Sequence, residues 1–282
     1  AMNQAMWNKI VTQENVTRLM KQGVHIIGPE QGDQACGETG FGRMTEPVSI
    51  CTQLMAALSD HASLSEPYLH GHKVLISAGP TREPLDPVRY LTNRSSGKMG
   101  YAIAAAAIKA GAEVTLVSGP VALTAPANVN LINVTTAEQM YQAVMFRASE
   151  NTIYIGAAAV ADYSPVVSDK KIKKEGDQVT LILQKTKDIL AEVAALEQSR
   201  PFTVGFAAET HNLEVYARDK LTRKKLDMIA ANWVGQEQGG FDSEQNALQV
   251  FWDQGENTFS MTDKAQLAEQ LLGLIAERIK AS

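Results

Sequence analysis

Cysteine is nearly missing from this chain: Cys36 and Cys51 are the two among 282 residues, too few for a disulfide framework and suited to a reducing cytoplasm. Positive charge is not in excess either. Lys and Arg total 26 against 31 Asp and Glu, a formal charge of −5, so the chain lacks the basic face that a nucleic-acid backbone demands. No apolar run nears the roughly 20 residues that cross a bilayer, and the opening "AMNQAMWNKI" lacks the charged-then-apolar order of a secretory signal. Nucleic acid and membrane are set aside as partners, and a cytoplasmic location is expected. The opening also lacks an initiator Met, as a piece cut from a longer protein would. Two nucleotide fingerprints are missing as well. Around "YLTNRSSGKMG" the spacing gives neither the P-loop nor G-x-G-x-x-G, since only Gly97-Lys98-Met99-Gly100 remains.

What is present reads as an ordinary globular chain, 45% hydrophobic and 20% charged. Residues 1–60 read as a helix ending at Gly23, a short strand "VHIIG", a glycine-punctuated loop "PEQGDQACGETGFGRM" and a helix through "PVSICTQLMAALS". One strand with flanking helices cannot close a core alone, so this part is a small α/β fragment. The polar stretch 61–72 reads as a linker. From residue 73 to 282, strands such as "KVLISAG", "EVTLVSG", "TIYIG", "FTVGFAAE" and "MIAANWV" alternate with helices, and "QVTLILQ" reads as a further strand. That alternation implies α/β architecture: a Rossmann-like, mostly parallel sheet with helices on both faces. Ligands in such sheets sit beyond the carboxyl ends of the strands.

The loop "GPTREPLDPVRYLTNRSSGKMG" is too long for a simple connector, and its prolines stiffen it. It ends with Ser95, Ser96 and Gly97 at a helix start, where backbone N–H groups and the helix dipole favour an anion. A plain Ser N-cap with a packing glycine explains the same residues. "GAAAVADYSP" brings Gly156, Ala157 and Ala158 after a strand, leaving room for a group close to the backbone or for tight helix packing, and Asp162 follows in position to accept from an exocyclic amine. "DKKIKKEG" and "DKLTRKKL" concentrate lysines, the latter placing Lys220 and Lys224 on one helical face. Both are either solvated faces or clamps for a polyphosphate. Phe206 is a single aromatic after a strand.

Taken together, "SAGPTREPLDPVRYLTNRSSGKMG", "GAAAVADY", "KIKK", "VGFAAET" and "ANWV…GFDSEQNAL" run in one order from Lys73 to the C-terminus, and the chain here resembles the phosphopantothenoylcysteine synthetase family, the ligase half of a bifunctional coenzyme A biosynthesis protein. Residues 1–60, with "AMN" and "ACGETGFGRM", are similar to the tail of the fused flavin-dependent decarboxylase. The resemblance implies that CTP activates 4′-phosphopantothenate as an acyl-cytidylate, that L-cysteine then gives the amide and CMP, that Mg²⁺ accompanies the nucleotide, and that the ligase is a homodimer. It assigns Asn93 to forming and holding the acyl-cytidylate, with Arg89 on the same loop, and Lys171 to turning it over. Nucleotide contacts fall on Ser95, Ser96, Gly97, Gly156, Ala157, Ala158, Asp162, Asp188, Ile189, Phe206, Lys220 and Lys224. "TKDI" departs from the family's Asn-Pro-Asp-Ile, which puts contacts through Thr186 and Lys187 in question. In the fragment, Asn3 matches a substrate-binding asparagine and Cys36 a proton-donating cysteine. The family's FMN-binding core precedes these residues, so FMN is expected in the complete decarboxylase and not on this chain.

Two other readings stay open. One is an NAD(P)-dependent reductase on the same sheet, against which stand the missing glycine fingerprint and a Tyr216/Lys220 pair that falls within a lysine-rich patch. The other is a non-catalytic nucleotide-binding module.

Overall fold

In a computed structural model, the described residues are all except 23, 35–36, 64–66, 175, 210, 234–244 and 282. The chain forms two compact units, Ala1–Glu66 and Pro67–Ser282. The first contains α1 (Gln4–Trp7), α2 (Ile10–Lys21), β1 (Glu30–Asp33), β2 (Thr39–Arg43) and α3 (Pro47–Ser63). Strands β1 and β2 pair antiparallel as a hairpin, closed by the Gln34 N–H donating to the Glu38 carbonyl at 2.9 Å. The strand expected over Val24–Gly28 does not form. An apolar run becomes a strand only with a partner, and the glycine-rich segment expected as a loop supplies both strands of the hairpin instead. None of the residues of α1 and α2 is buried.

The second unit begins with β3 (Lys73–Ala78), β4 (Arg82–Pro84), β5 (Tyr90–Thr92), α4 (Lys98–Lys109), β6 (Glu113–Ser118) and β7 (Asn130–Asn133). It continues through α5 (Ala137–Ala148), β8 (Ile153–Gly156), β9 (Tyr163–Pro165), β10 (Leu183–Lys185), α6 (Ile189–Ala194) and β11 (Phe202–Glu209). Then follow α7 (Leu213–Arg223), β12 (Met228–Trp233), β13 (Gln245–Trp252), β14 (Gly255–Asp263) and α8 (Lys264–Ala281). Of the stretch expected as a linker, 61–63 continue α3, and Leu69 is fully buried in the second unit.

The main sheet has the order β14-β13-β12-β11-β8-β3-β6-β7. The strands from β12 to β7 are parallel, and the β13–β14 hairpin adds antiparallel to β12. The chain moves outward from β3 through β6 to β7, then returns to place β8 on the other side of β3. Strand order therefore reverses between β3 and β8, the point where doubly wound sheets bind ligands. Alternation along the strands assigns the faces. Val74, Ile76 and Ala78 pack with the alanine-rich α4 and with α8, whereas Leu75 and Tyr154 pack with α5 and α6. Ile103 and Leu271, both fully buried, each contribute about 1.5–3 kcal/mol. On the β12 side, α7 covers Ile229, Ala231 and Phe251.

Two elements lie outside this sheet. The long loop after β3 folds into the short β4–β5 hairpin, and β9 pairs antiparallel with β10. The strand expected over "QVTLILQ" shrinks to β10, because Val179 and Ile182 are exposed and 178–182 have no partner strand.

Candidate active site

A cleft of about 570 Å³ opens past the carboxyl ends of β3, β8, β11 and β12. Pairing outlasts the strands there: the Ala157 N–H donates to the Ser77 carbonyl at 3.0 Å and the Ala159 N–H to the Gly79 carbonyl at 2.9 Å. The side-chain amide of Asn93 donates to the Ala159 carbonyl at 2.9 Å, tying the loop after β5 to the loop after β8. On the floor, the hydroxyls of Ser77 and Tyr154 lie 3.0 Å apart. Burial pushes the Tyr154 phenol up to about 12, so it serves as a neutral hydrogen-bonding group and not as a base near neutral pH.

Helix α4 starts at the cleft wall. Its N-cap is Gly97, with φ +77° and no side chain capping it, which sets aside the alternative of a plain Ser N-cap. A Cβ there would stand 2.7 Å from Val121 Cγ1 and 3.3 Å from Gly79 Cα, so only glycine fits both the backbone angle and the space. Ser95 turns its hydroxyl back to the Gly97 N–H at 3.3 Å, and Ser96 lines the cleft beside it. Opposite stand Gly156, Ala157 and Ala158; a Cβ on Gly156 would meet Leu190 Cδ1 at 3.1 Å. The small residues thus serve helix packing and the open wall at once.

The helix-borne cations are held by carboxylates. Lys220 Nζ lies 2.6 Å from Glu209 Oε1, and Lys224 Nζ lies 2.8 Å from Asp188 Oδ2. Asp188 is also the N-cap of α6, accepting from the Ala191 N–H at 3.1 Å. Partial burial works to raise its pKa, but the Lys224 ammonium and the Ala191 N–H outweigh it and hold the carboxyl below its ordinary value. Ile189 is buried behind it, and Phe206 lines the cleft while packing on the core beneath. Asp162 is exposed at the mouth. The hydroxyl of Thr186 donates to the Ala161 carbonyl at 2.6 Å, and Lys187 reaches Glu138 at 3.1 Å and lies over the Tyr141 ring at 4.1 Å.

Several expected site residues stand elsewhere. Arg89 and Lys171 do not line the cleft: Arg89 reaches the carbonyl of Ile172 at 2.8 Å, and Lys171 is exposed on the same segment. In the first unit, Asn3 caps α1 and donates to Glu38 Oε2 at 2.9 Å, and Cys36 lies outside the described residues. Tyr216 pairs with His211 at 3.2 Å, away from the cleft. Conversely, the cleft holds Arg94, Asn232, Asn246 and Lys264, which sequence reasoning missed. Arg94 sat inside the quoted loop. Asn246, from β13, lay inside the quoted "GFDSEQNAL", whereas Lys264, at the start of α8, carried no sequence signal; both are largely buried, 6% and 7% exposed.

A sheet with its order reversed at β3 and β8, and a cleft there lined by the start of α4, small residues and lysines, define the class as a doubly wound α/β protein with a cleft at its switch point. Comparisons with known proteins narrow this further. The family model for the DNA/pantothenate metabolism flavoprotein C-terminal domain matches residues 69–279, and a flavoprotein family matches 1–59. The coenzyme A biosynthesis bifunctional protein CoaBC of Vibrio vulnificus (strain YJ016) is 51% identical over 96% of this chain and 67% of its own length. That of Haemophilus influenzae is 53% identical over 99% of this chain and 68% of its own length. The crystal structure of the C-terminal domain of a CoaBC protein covers 77% of this chain and 100% of its own, at 38% identity and a TM-score of 0.66. The chain belongs to this family of bifunctional coenzyme A biosynthesis proteins.

Proposed function

We propose that the second unit joins 4′-phosphopantothenate to L-cysteine with CTP as the activating nucleotide, at the cleft beyond β3 and β8. Its class, a phosphopantothenate–cysteine ligase of coenzyme A biosynthesis, follows from family membership. A carboxylate oxygen of 4′-phosphopantothenate attacks the α-phosphorus of CTP, the bond to the bridging oxygen breaks, and pyrophosphate leaves. The amine of L-cysteine then attacks the acyl carbon, the bond to CMP breaks, and the amine loses a proton. Both steps bring anions together, so fixed dipoles and cations must offset the developing charge. The observation that carries the reading is the convergence of Asn93, the uncapped start of α4 and the helix lysines Lys220 and Lys224 on one cleft. Asn93, bonded to the Ala159 carbonyl, presents an amide beside anionic reactants without adding charge. Ser95, Ser96 and Gly97 face the phosphates, Gly156 to Ala158 and Phe206 accept the nucleoside, and Asp162 accepts from the amine of cytosine.

Mg²⁺ enters with CTP. Among the described residues no group of three or more His, Cys, Asp or Glu could hold a metal ion, which fits an ion held by phosphate oxygens and water. FMN is different. The described residues of the first unit form a two-stranded hairpin with α3 and with helices α1 and α2, which contain no buried residue; we place FMN in the complete decarboxylase, with no step assigned to Asn3 or Cys36. Decarboxylation of the ligation product belongs to a whole protein of the relatives' length. Two copies of the second unit pair through the exposed apolar residues around β9 and β10, among them Val166, Val179 and Ile182, at an edge that a second copy can cover.

The test is pyrophosphate release with CTP, 4′-phosphopantothenate and L-cysteine, with mass spectrometry of the nucleotide products when cysteine is withheld. Acyl-cytidylate without cysteine and CMP with it are expected, with turnover well above that with ATP. Equal efficiency with both nucleotides, or release independent of 4′-phosphopantothenate, removes the assignment. A monomeric mass at full activity removes the dimer.

A further inference from the structure

We propose that Asp86 is a positioning residue that latches the lysine segment 168–174 to the turn between β4 and β5 and so sets where Lys171 stands during the ligase reaction. This inference rests on the ligase reading above, within which the family resemblance gives Lys171 the turnover of the acyl-cytidylate, and on the structure alone for the latch.

The Asp86 side chain is fully shielded from solvent, an unusual place for a carboxylate unless every lone pair is used. Its Oδ1 accepts from the Val88 and Arg89 N–H groups, both at 2.8 Å, and closes the turn on itself. Its Oδ2 accepts from Arg89 Nη2 at 2.6 Å and Nε at 3.1 Å, and from the Ile172 N–H at 3.1 Å. Arg89 Nη2 completes the grip by donating to the Ile172 carbonyl at 2.8 Å. Both backbone polar groups of Ile172 are therefore held by one ion pair, more than 80 residues away in sequence. A third tie, from the Ser168 N–H to the Leu85 carbonyl at 3.0 Å, fixes the start of the segment.

Among the described residues the segment has no helix or strand to hold it, since β9 ends at Pro165 and β10 begins at Leu183. Its lysines, Lys170, Lys171, Lys173 and Lys174, are exposed, and Ile172 between them is the residue gripped. The Arg89 guanidinium, together with the backbone donors, holds the Asp86 carboxyl far below the usual carboxylate range, so the latch stays charged throughout the neutral range. Arg89 thus acts here through Ile172.

The experiment compares the wild-type chain with Asp86→Asn and Ile172→Pro. The second removes the gripped N–H but also fixes the backbone at 172 and restricts Lys171 before it, so Ile172→Ala, which keeps the N–H, is its control and should behave as the wild type. Trypsin, applied well below the melting temperature, reads the latch whatever the reaction, because cleavage after Lys173 and Lys174, bonds that neither variant alters, follows the opened population. Each variant is expected to be cleaved there about tenfold faster, as loss of one charge-assisted hydrogen bond predicts. Acyl-cytidylate formation without cysteine should stay within about threefold, while amide formation falls about tenfold. Wild-type cleavage and wild-type amide formation in Ile172→Pro overturn the proposal, and so does an equal fall in both steps. If Asp86→Asn does not fold, Ile172→Pro decides alone. If the wild type makes no acyl-cytidylate while trypsin still separates the variants, the latch stands and the ligase reading fails.

Discussion

Lys220 on α7 and Lys224 at its C-cap stand inside the cleft with their ammonium groups already engaged, 2.6 Å from Glu209 and 2.8 Å from Asp188, whereas Lys170, Lys171, Lys173 and Lys174 are exposed on a segment outside it. In the sequence, "DKLTRKKL" and "DKKIKKEG" look interchangeable. The fold separates them by what holds each lysine. A helix-borne ammonium with a fixed carboxylate partner is aimed before any ligand arrives, which suits ground-state binding of a polyphosphate. A lysine on a latched segment meets the reactants only across the distance the segment spans, which suits a step that follows binding.

The largest effect should come from the second group. Lys171→Gln is expected to lower amide formation by roughly 10²-fold or more, the magnitude of one contact made to transition-state charge, with acyl-cytidylate accumulating. Quenching reactions with and without cysteine and weighing the nucleotide products reads both numbers. A variant that makes no intermediate would place Lys171 with the helix lysines and erase the contrast. Asn93→Asp breaks the other side, impairing intermediate formation itself by adding charge beside anionic reactants.

Next in size is the wall that the helix lysines face. Gly97→Ala forces a side chain into φ +77°, with its Cβ 2.7 Å from Val121 Cγ1, and strain of this kind costs about 1–3 kcal/mol. Thermal unfolding should register the loss, and nucleotide binding should weaken with it as the start of α4 shifts. An unchanged melting temperature together with unchanged binding would show that the helix start adapts.

Much of this contrast was legible beforehand, and the reasons are local. Phe202–Glu209 is a strand in the fold as in the sequence reading, because a buried parallel strand is a continuous apolar run with little alternative. The reversal between β3 and β8 was not read, although the loops to search were, since the carboxyl ends of the parallel strands fall at one edge. Lys264 escaped because a lysine opening a helix reads as a solvated surface residue, and its burial and its place in the cleft exist only in the fold. The latch escaped for the same reason: Asp86 lies in a segment that reads as a proline-stiffened loop, and nothing near it in sequence points to Ile172. The misread strand at Val24–Gly28 shows the opposite failure, an apolar run taken as an element without asking what would pair with it.

Within the first group, Lys224 gives a smaller effect than Lys171. Lys224→Gln should weaken nucleotide binding by about tenfold, the scale of one charged hydrogen bond, while leaving the partition between acyl-cytidylate and amide as in the wild type. Isothermal titration with CTP measures the first and product analysis the second. A changed partition would mean that the helix lysine also serves the second step.

The smallest effect isolates charge from geometry at the same pair. Asp188 both caps α6 and binds Lys224, and Asn is about as good an N-cap as Asp, so Asp188→Asn keeps the cap and removes the charge. The folded carboxyl has a pKa below its ordinary value. Its contribution is therefore fully present above about pH 4, the unfolded value, and fades as pH falls through that value toward the lower folded one. The side chain is 41% exposed, so solvent screening limits the contribution to under about 1 kcal/mol. Denaturant midpoints at pH 7 and pH 3 should show the wild type losing slightly more stability than Asp188→Asn over that interval, on top of whatever all other carboxylates contribute equally to both. If the two chains lose the same amount, the pair adds nothing to the folded state, and Lys224 is held in the cleft by helix α7 alone, with its charge wholly available to an incoming anion.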